Sequence, residues 1–207
     1  ILGIIGIIFI LAMFIAVIGA VVYIQEAERR IPIQYAKRVV GRKMYGGQST
    51  HLPIKVNMSG VIPIIFAMSI MAFPQTIIGL VAPNTTSKIL IALSKQGGPI
   101  YTVLYALLIL FFTFFYSVIQ FNPIEVANNL KKNGGFIPGI RPGKPTADYI
   151  SGILNKLTWI GGIFLALITI FPSIMGIIFG IQGIWFGGTS VLIMVGVALE
   201  TAQQIES

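Results

Sequence analysis

Five long stretches of this chain consist almost wholly of apolar residues and carry next to no charge. They lie at about 1–24, 58–81, 100–121, 157–172 and 189–204, and polar segments separate them. Because an α-helix rises about 1.5 Å per residue, roughly 20 apolar residues are enough to cross the hydrocarbon core of a bilayer. The pattern predicts five membrane-spanning helices within a single membrane domain that covers 1–207.

The second apolar stretch differs from the others in holding prolines and small polar residues. Pro63 and Pro74 lie inside it, and Asn57, Ser59 and Gly60 mark its start. Proline removes a backbone N–H, and a membrane helix tolerates it where neighbouring protein or water satisfies the freed carbonyl. We therefore expect this stretch to face protein or a cavity rather than lipid alone.

The basic residues are sorted between the polar segments. Of the 14 Lys and Arg residues, 12 fall in 25–58 and 122–156. Short loops rich in Lys and Arg stay on the cytoplasmic side of a membrane, so the loops 25–57 and 122–156 are predicted to be cytoplasmic. Within the second loop, PGIRPGKP is too rich in Gly and Pro for regular helix and predicts an exposed turn with Arg141 at its tip.

Composition agrees with a membrane protein and offers little chemistry. Hydrophobic residues make up 56% of the 207 positions and charged residues 10%, whereas a typical soluble domain is about 25% charged. The net charge of +8 lies in the loops, where membrane topology explains much of it before nucleic acid need be invoked. One histidine, no cysteine and no nucleotide- or metal-binding motif argue against an enzyme, a metal site or another cofactor.

Three segments of the chain together point to one family. They are ERRIPIQYAKRVVGRKMYGGQSTHLPIKVNMSGVIPIIFAMSI, then GPIYTVLYALLILFFTFFYSVIQFNPIEVANNLKKNGGFIPGIRPGKPTADYI, and later FGGTS. These closely resemble the SecY family, the channel subunits of the bacterial Sec protein translocase. The resemblance implies an all-α, polytopic helical membrane protein of ten helices in two halves related by inverted topology. This chain resembles the C-terminal half, so the N-terminal half is an expected partner, without which no channel should form.

The resemblance also implies roles for particular residues. It assigns the docking of the SecA ATPase or the ribosome to five basic residues of the cytoplasmic loops, Lys37, Arg38, Arg42, Lys43 and Arg141. It assigns a lateral gate for signal sequences to Asn57, Gly60, Pro63 and Pro74. A pore ring of apolar side chains, which seals around a passing chain without binding ions, falls to Ile65 and Ile193.

Each of these roles has a plainer alternative. The loop lysines and arginines could serve only to set topology or to contact lipid headgroups. Arg141 could be a structural arginine that bonds loop carbonyls. By composition alone, Ile65 and Ile193 would be read as facing lipid or the core, and only the resemblance singles them out.

The implied function is transport without bond chemistry. Unfolded secretory polypeptides would cross the bacterial cytoplasmic (inner) membrane, and apolar segments would leave sideways into lipid. Implied partners are SecE, SecG, SecA, the ribosome, signal peptides, nascent chains and anionic lipids. The alternative from the residues alone is half of an inverted-repeat secondary transporter for a small solute. A solute site usually places charged or strongly polar residues in mid-span, and these stretches hold almost none. A membrane anchor or scaffold, the third class, would not need prolines in the second stretch.

Overall fold

The computed structural model describes residues 2–35, 38–40, 43–45, 49–81, 98–179 and 187–206. The helices in these residues are α1 (Leu2–Glu26), α2 (Ile62–Val81), α3 (Pro99–Gln120), α4 (Pro123–Lys132), α5 (Lys144–Phe179) and α6 (Gly187–Glu206). The strands are β1 (Glu28–Tyr35), β2 (Arg38–Val40), β3 (Lys43–Tyr45), β4 (Ser49–Lys55) and β5 (Gly135–Phe136).

Helices lie at all five predicted apolar stretches, but two of them differ in their bounds from the prediction. α2 begins at Ile62 rather than near 58, because the residues before it form a turn in which Gly60 has a left-handed backbone with φ of 60°. α5 begins inside the polar loop and continues past Pro172 to Phe179, so this helix is longer at both ends than the predicted span of 157–172. A proline interrupts a membrane helix less than a soluble one, because neighbouring helices satisfy the freed backbone groups.

Three helical segments of the described chain are long and apolar enough to cross a membrane. They are Ile62–Leu80, Pro99–Lys132 and Lys144–Phe171, and the second of them includes both α3 and the short α4. Leu11–Glu26, within α1, is a shorter apolar segment. That all five stretches cross the bilayer remains a prediction.

The long helices pack around one apolar core, which we call the bundle core. α3 packs between α2 and α5, while α6 contacts both α5 and α1. The fully or nearly fully buried side chains include Val21, Ile64, Met71, Ile109, Leu165 and Leu192. At the α3–α5 interface, a Cβ on Gly162 would lie 3.0 Å from the Leu110 side chain, so only glycine permits this spacing without a shift. The hydroxyls of Ser117 and Thr158 are hydrogen-bonded across the same interface at 2.7 Å.

A second apolar core lies beneath the two basic loops. β1 pairs antiparallel with β4, from Glu28 opposite Lys55 to Gln34 opposite Ser49, and β5 pairs with the other edge of β1. Side chains alternate across a strand, so Ile31 and Ile33 are buried on one face of this sheet. α4 contributes the buried Leu130 to this core, and the first turns of α5 contribute Ile150 and Leu154. We call this unit, residues 28–35, 49–55 and 122–156, the basic platform.

The platform adds β-structure to a fold that the sequence predicted as all-α. The molecule is mostly helical, and the strands described here lie outside the apolar stretches. The sheet gives the two loops a packed apolar core of their own. The exposed residues of the platform are therefore held in place by this core.

Candidate functional site

The turn before α2, residues 56–61, is fixed by its own hydrogen bonds. Asn57 is only 7% exposed, and its Nδ2 donates to the carbonyl of Gly60 at 3.1 Å. Ser59 donates its hydroxyl to Asn57 Oδ1 at 3.2 Å. The backbone N–H of Val56 donates to the carbonyl of Ala27, which ties the turn to the end of α1. We call these residues the pre-α2 turn.

Two glycines from other helices press against the pre-α2 turn. A Cβ on Gly161 of α5 would lie 2.8 Å from the carbonyl oxygen of Val56, closer than real Cβ contacts come. A Cβ on Gly196 of α6 would lie 2.5 Å from Val61 Cγ1. Small residues of this kind allow helix backbones to approach closely inside membranes. The start of α2 is therefore held between α5 and α6.

The four residues predicted for the lateral gate divide into two groups. Asn57 and Gly60 lie in the pre-α2 turn and not in the helix itself, and they are bonded to each other. Pro63 is fully buried in the first turn of α2. Pro74 lies inside α2 and is half-buried. The first three anchor one end of α2, and Pro74 is the position where the helix lacks a backbone donor.

The two residues predicted for the pore ring lie at nearly the same depth. α5 leaves the platform and only residues 180–186 separate its end from α6, so α6 runs back toward the platform, antiparallel to α5. The contact between Val61 and Gly196 fixes the level of α2 against α6. Ile65 follows Val61 by four residues and Ile193 precedes Gly196 by three, which places each about 5 to 6 Å beyond this contact. Ile65 is 42% exposed and Ile193 is half-buried.

Most of the hydroxyl groups described in the long helices bond to carbonyls of their own helices. Ser69 donates to the carbonyl of Ile65 at 2.8 Å and Thr76 to that of Ala72 at 3.0 Å. Further hydroxyls that donate to the carbonyl four residues earlier are those of Thr113, Thr158, Thr169 and Thr201. The side chain of Gln75 on α2 is hydrogen-bonded to that of Tyr101 on α3. Most of the described helix hydroxyls are thus satisfied within the bundle, whereas the buried Tyr105 hydroxyl on α3 has no hydrogen-bond partner among the described residues. The surface of α2 around Ile65 is apolar except for the exposed Ser69 hydroxyl, which donates to the Ile65 carbonyl.

Arg141 lies in an exposed turn of the platform, as the sequence predicted. Gly139 and Gly143 flank it with positive φ angles of 83° and 106°, which glycine adopts without strain. The Arg141 carbonyl accepts a hydrogen bond from the buried Thr146 hydroxyl at 2.9 Å, and this anchors the backbone. Within the described part of the chain, no hydrogen bond or ion pair engages the Arg141 guanidinium. The described contacts therefore do not support the alternative in which Arg141 is a structural arginine that bonds loop carbonyls.

The other predicted docking residues are only partly placed. Lys37 and Arg42 lie outside the described residues. Arg38 and Lys43 are on β2 and β3, which pair antiparallel with Arg38 opposite Tyr45 and Val40 opposite Lys43. The backbone thus forms a two-stranded ribbon that carries two of the four basic positions.

Sequence reasoning missed the positions that hold the pre-α2 turn. Gly161 stands next to Gly162 in the middle of an apolar stretch, and adjacent glycines there signal close approach of another backbone. Gly196 carries the same signal in α6. The Ser117–Thr158 bond has no signal of its own, since each hydroxyl could equally bond its own helix.

Comparison with known proteins covers nearly all of this chain. The sequence profile of the SecY family matches residues 2–202. Relatives named protein translocase subunit SecY are 51% identical over 201 residues in Streptomyces galbus and 48% identical over 205 residues in Thermotoga maritima. The one in Halalkalibacterium halodurans is 50% identical over 208 residues. These alignments cover 96%, 97% and 100% of this chain but 46%, 45% and 48% of the relatives, so the chain spans about half their length.

Two solved structures share the fold. One, described as the structure of a protein conducting channel, has a TM-score of 0.62 at 23% identity and is matched over 92% of this chain and 46% of its own. The other concerns the plug domain of a SecY protein, with a TM-score of 0.62 at 21% identity over 94% of this chain and 48% of its own. These likenesses establish the fold, that of a polytopic helical membrane protein. The profile match over residues 2–202 shows that this chain belongs to the SecY family.

Proposed function

We propose that this chain forms one half of a protein-conducting channel in the bacterial cytoplasmic membrane. The channel passes unfolded secretory polypeptides across the membrane and releases apolar segments sideways into lipid. It catalyses no bond chemistry, and energy comes from the SecA ATPase or a translating ribosome. The other half of the same protein, together with SecE and SecG, completes the channel.

One observation carries this proposal: the exposed surface of α2 around Ile65 is apolar except for Ser69, whose hydroxyl donates to the Ile65 carbonyl, and α2 has no ionisable side chain. An apolar constriction of branched side chains excludes water and ions when closed, yet binds no part of a passing chain strongly. The matching depth of Ile193 on α6 supports a ring to which both helices contribute. The ring would be completed by the other half of the protein.

The platform supports the docking role. Arg141 projects from a turn whose backbone is anchored by Thr146 and by two glycines with positive φ. A guanidinium in such a place can offer its planar fork to a carboxylate or a phosphate of a partner. The platform core holds the turn in place, which reduces the ordering cost of binding a partner there.

The transporter alternative is less well supported. A small-solute site needs polar groups free to bind the solute in mid-span. Most of the described helix hydroxyls donate instead to carbonyls of their own helices, including Ser69 next to Ile65. The buried Tyr105 hydroxyl, which has no partner among the described residues, is an exception.

The seal is tested by ion conductance of the full-length protein in its complex, reconstituted in planar bilayers. We predict that Ile65→Ser raises the conductance of the resting channel, because a hydroxyl wets the constriction. Ile160→Ser is the matched control, since Ile160 is similarly exposed, at 55%, but on the outer face of α5. Equal conductance of Ile65→Ser and wild type would remove Ile65 from the seal.

A further inference from the structure

One face of α5 changes from polar to apolar within a single turn. Lys156 is exposed on this face, and the residues that follow it at helical spacing are also exposed and are all apolar or aromatic. They are Trp159 (52%), Ile160 (55%), Ile163 (47%), Leu167 (63%) and Ile174 (46%). From Lys156 to Ile174 the helix rises about 27 Å, close to the roughly 30 Å thickness of a hydrocarbon core. Lys156 therefore marks the boundary between headgroups and acyl chains.

An exposed apolar face of the neighbouring helix α3 continues this face of α5, and we call the two faces together the α3–α5 seam. Its exposed residues Val103, Leu107, Phe111 and Val118 also recur at helical spacing. The ring of Phe114 meets that of Trp159 edge to face, with centroids 4.9 Å apart and an interplanar angle of 72°. Directly beside it, the Ser117–Thr158 hydrogen bond joins the two helices. The indole of Trp159 is thus positioned at the boundary by packing.

The boundary presents two donors of a kind suited to phosphate. Lys156 and Trp159 are three residues apart, a spacing that makes them neighbours on the helix surface. The ammonium of Lys156 has three donors and the indole Nε1 has one. Among the described residues, neither group has a hydrogen-bond or ion-pair partner.

The composition of the seam favours lipid over a partner helix. Helix–helix interfaces in membranes are enriched in small residues, and α5 places its own small residues, Gly161, Gly162 and Thr158, on the inner face. The outer face carries long branched and aromatic side chains instead. Such a surface fits acyl chains, which adapt their shape to it.

We propose that the α3–α5 seam binds an anionic phospholipid of the cytoplasmic leaflet. Lys156 binds the anionic headgroup, Trp159 donates its indole N–H to the phosphodiester, and the acyl chains lie along the seam beside Ile163 and Phe111. The inference rests on the proposed function and on the predicted membrane orientation, in which loops 25–57 and 122–156, and with them the platform, are cytoplasmic. Its test does not depend on polypeptide transport.

The test uses the full-length protein in its complex, with Trp159 as the sole tryptophan and Phe at the other tryptophan positions, including Trp185. The complex is reconstituted in phosphatidylcholine vesicles that contain a fixed fraction of dibrominated lipid, either phosphatidylglycerol or phosphatidylcholine. Bromine quenches tryptophan fluorescence on contact, so quenching reports the relative binding constant of the two lipids at Trp159. We expect phosphatidylglycerol to be favoured about fivefold, as estimated for one basic residue near an anionic surface.

Matched variants separate a site from general attraction of anionic lipid. Lys156→Gln should lower the preference to about onefold, Lys156→Arg should retain it, and Lys144→Gln, which removes the same charge three turns away, should leave it unchanged. An equal loss in Lys156→Gln and Lys144→Gln would overturn the proposal, as would equal quenching by both lipids of the sole-tryptophan protein that retains Lys156. Absence of quenching by either lipid would show that protein covers the seam and would also overturn it. Because quenching requires only insertion of the complex, a failed export assay would leave this result intact.

Discussion

Gly161→Ala is the perturbation that tests most sharply how the start of α2 is held. The added Cβ would lie 2.8 Å from the Val56 carbonyl oxygen, 3.5 Å from the Val56 carbonyl carbon and 3.7 Å from the Cα of Asn57. An ordinary contact of this kind is 3.4 Å or longer. All three neighbours are backbone atoms, so no side chain can rotate away, and either α5 or the pre-α2 turn must shift.

The free-energy cost follows from two opposing effects. Overpacking a well-packed interface costs about 1–3 kcal/mol. Alanine is the better helix former by up to about 1 kcal/mol, which offsets part of this cost. We expect a net loss of roughly 1–2 kcal/mol in the free energy of unfolding.

The assay is the thermal unfolding midpoint of the purified full-length complex in detergent, for Gly161→Ala and for Gly152→Ala. Gly152 lies on the same helix, and nothing comes within 4 Å of a Cβ built there. We expect a lower midpoint for Gly161→Ala and an unchanged or slightly higher one for Gly152→Ala. Equal midpoints for the two variants would refute the close approach of α5 to Val56.

Three further variants probe the turn, the α3–α5 interface and the platform. Asn57→Ala leaves the partly buried Gly60 carbonyl without its side-chain donor, and we expect a loss of about 1–3 kcal/mol in unfolding free energy, read from the unfolding midpoint. Thr158→Val removes the bond to Ser117 and should cost about 1 kcal/mol by the same measurement. Arg141→Glu should abolish export driven by the SecA ATPase, measured with a radiolabelled secretory precursor, without changing the amount of protein in the membrane.

Each of these variants has a matched control. Thr113→Val removes a hydroxyl that bonds only its own helix, so it should cost less than Thr158→Val. Ser59→Ala removes one bond of the pre-α2 turn but leaves the one to Gly60, so it should cost less than Asn57→Ala. Lys144→Glu makes the same charge reversal as Arg141→Glu and should leave export intact. Normal export by Arg141→Glu would contradict the docking role of this arginine.

The apolar stretches were predictable because hydropathy over some 20 residues needs no knowledge of which elements meet. The extension of α5 past Pro172 to Phe179 was not predictable in this way, because in membranes a proline does not by itself end a helix. The start of α2 was misplaced for a related reason. Apolar composition continues through Val56 and Met58, while the hydrogen bonds of Asn57 and the left-handed Gly60 set the actual boundary.

The platform and the site were harder to predict because they depend on pairing between distant segments. Alternating polar and apolar residues in ERRIPIQY are typical of a strand, but the partner Gly135–Phe136 lies about a hundred residues away and is only two residues long. The exposed turn at Arg141 followed from its glycines and prolines alone. Ile65 could not be distinguished from other isoleucines by composition. The family resemblance singles it out, and the contact of Val61 with Gly196 places it near the depth of Ile193.

The measurement that tests the channel most directly is photocrosslinking during export of a stalled secretory chain by the full-length complex. A photoreactive amino acid is placed at Ile65, at Ile193 or, as the control, at Ile160 on the outer face of α5. The proposed pore predicts adducts with the stalled chain from Ile65 and Ile193 and adducts with lipid from Ile160. Lipid adducts from all three positions, with none to the stalled chain, would contradict the proposal that this half of the protein lines a polypeptide path.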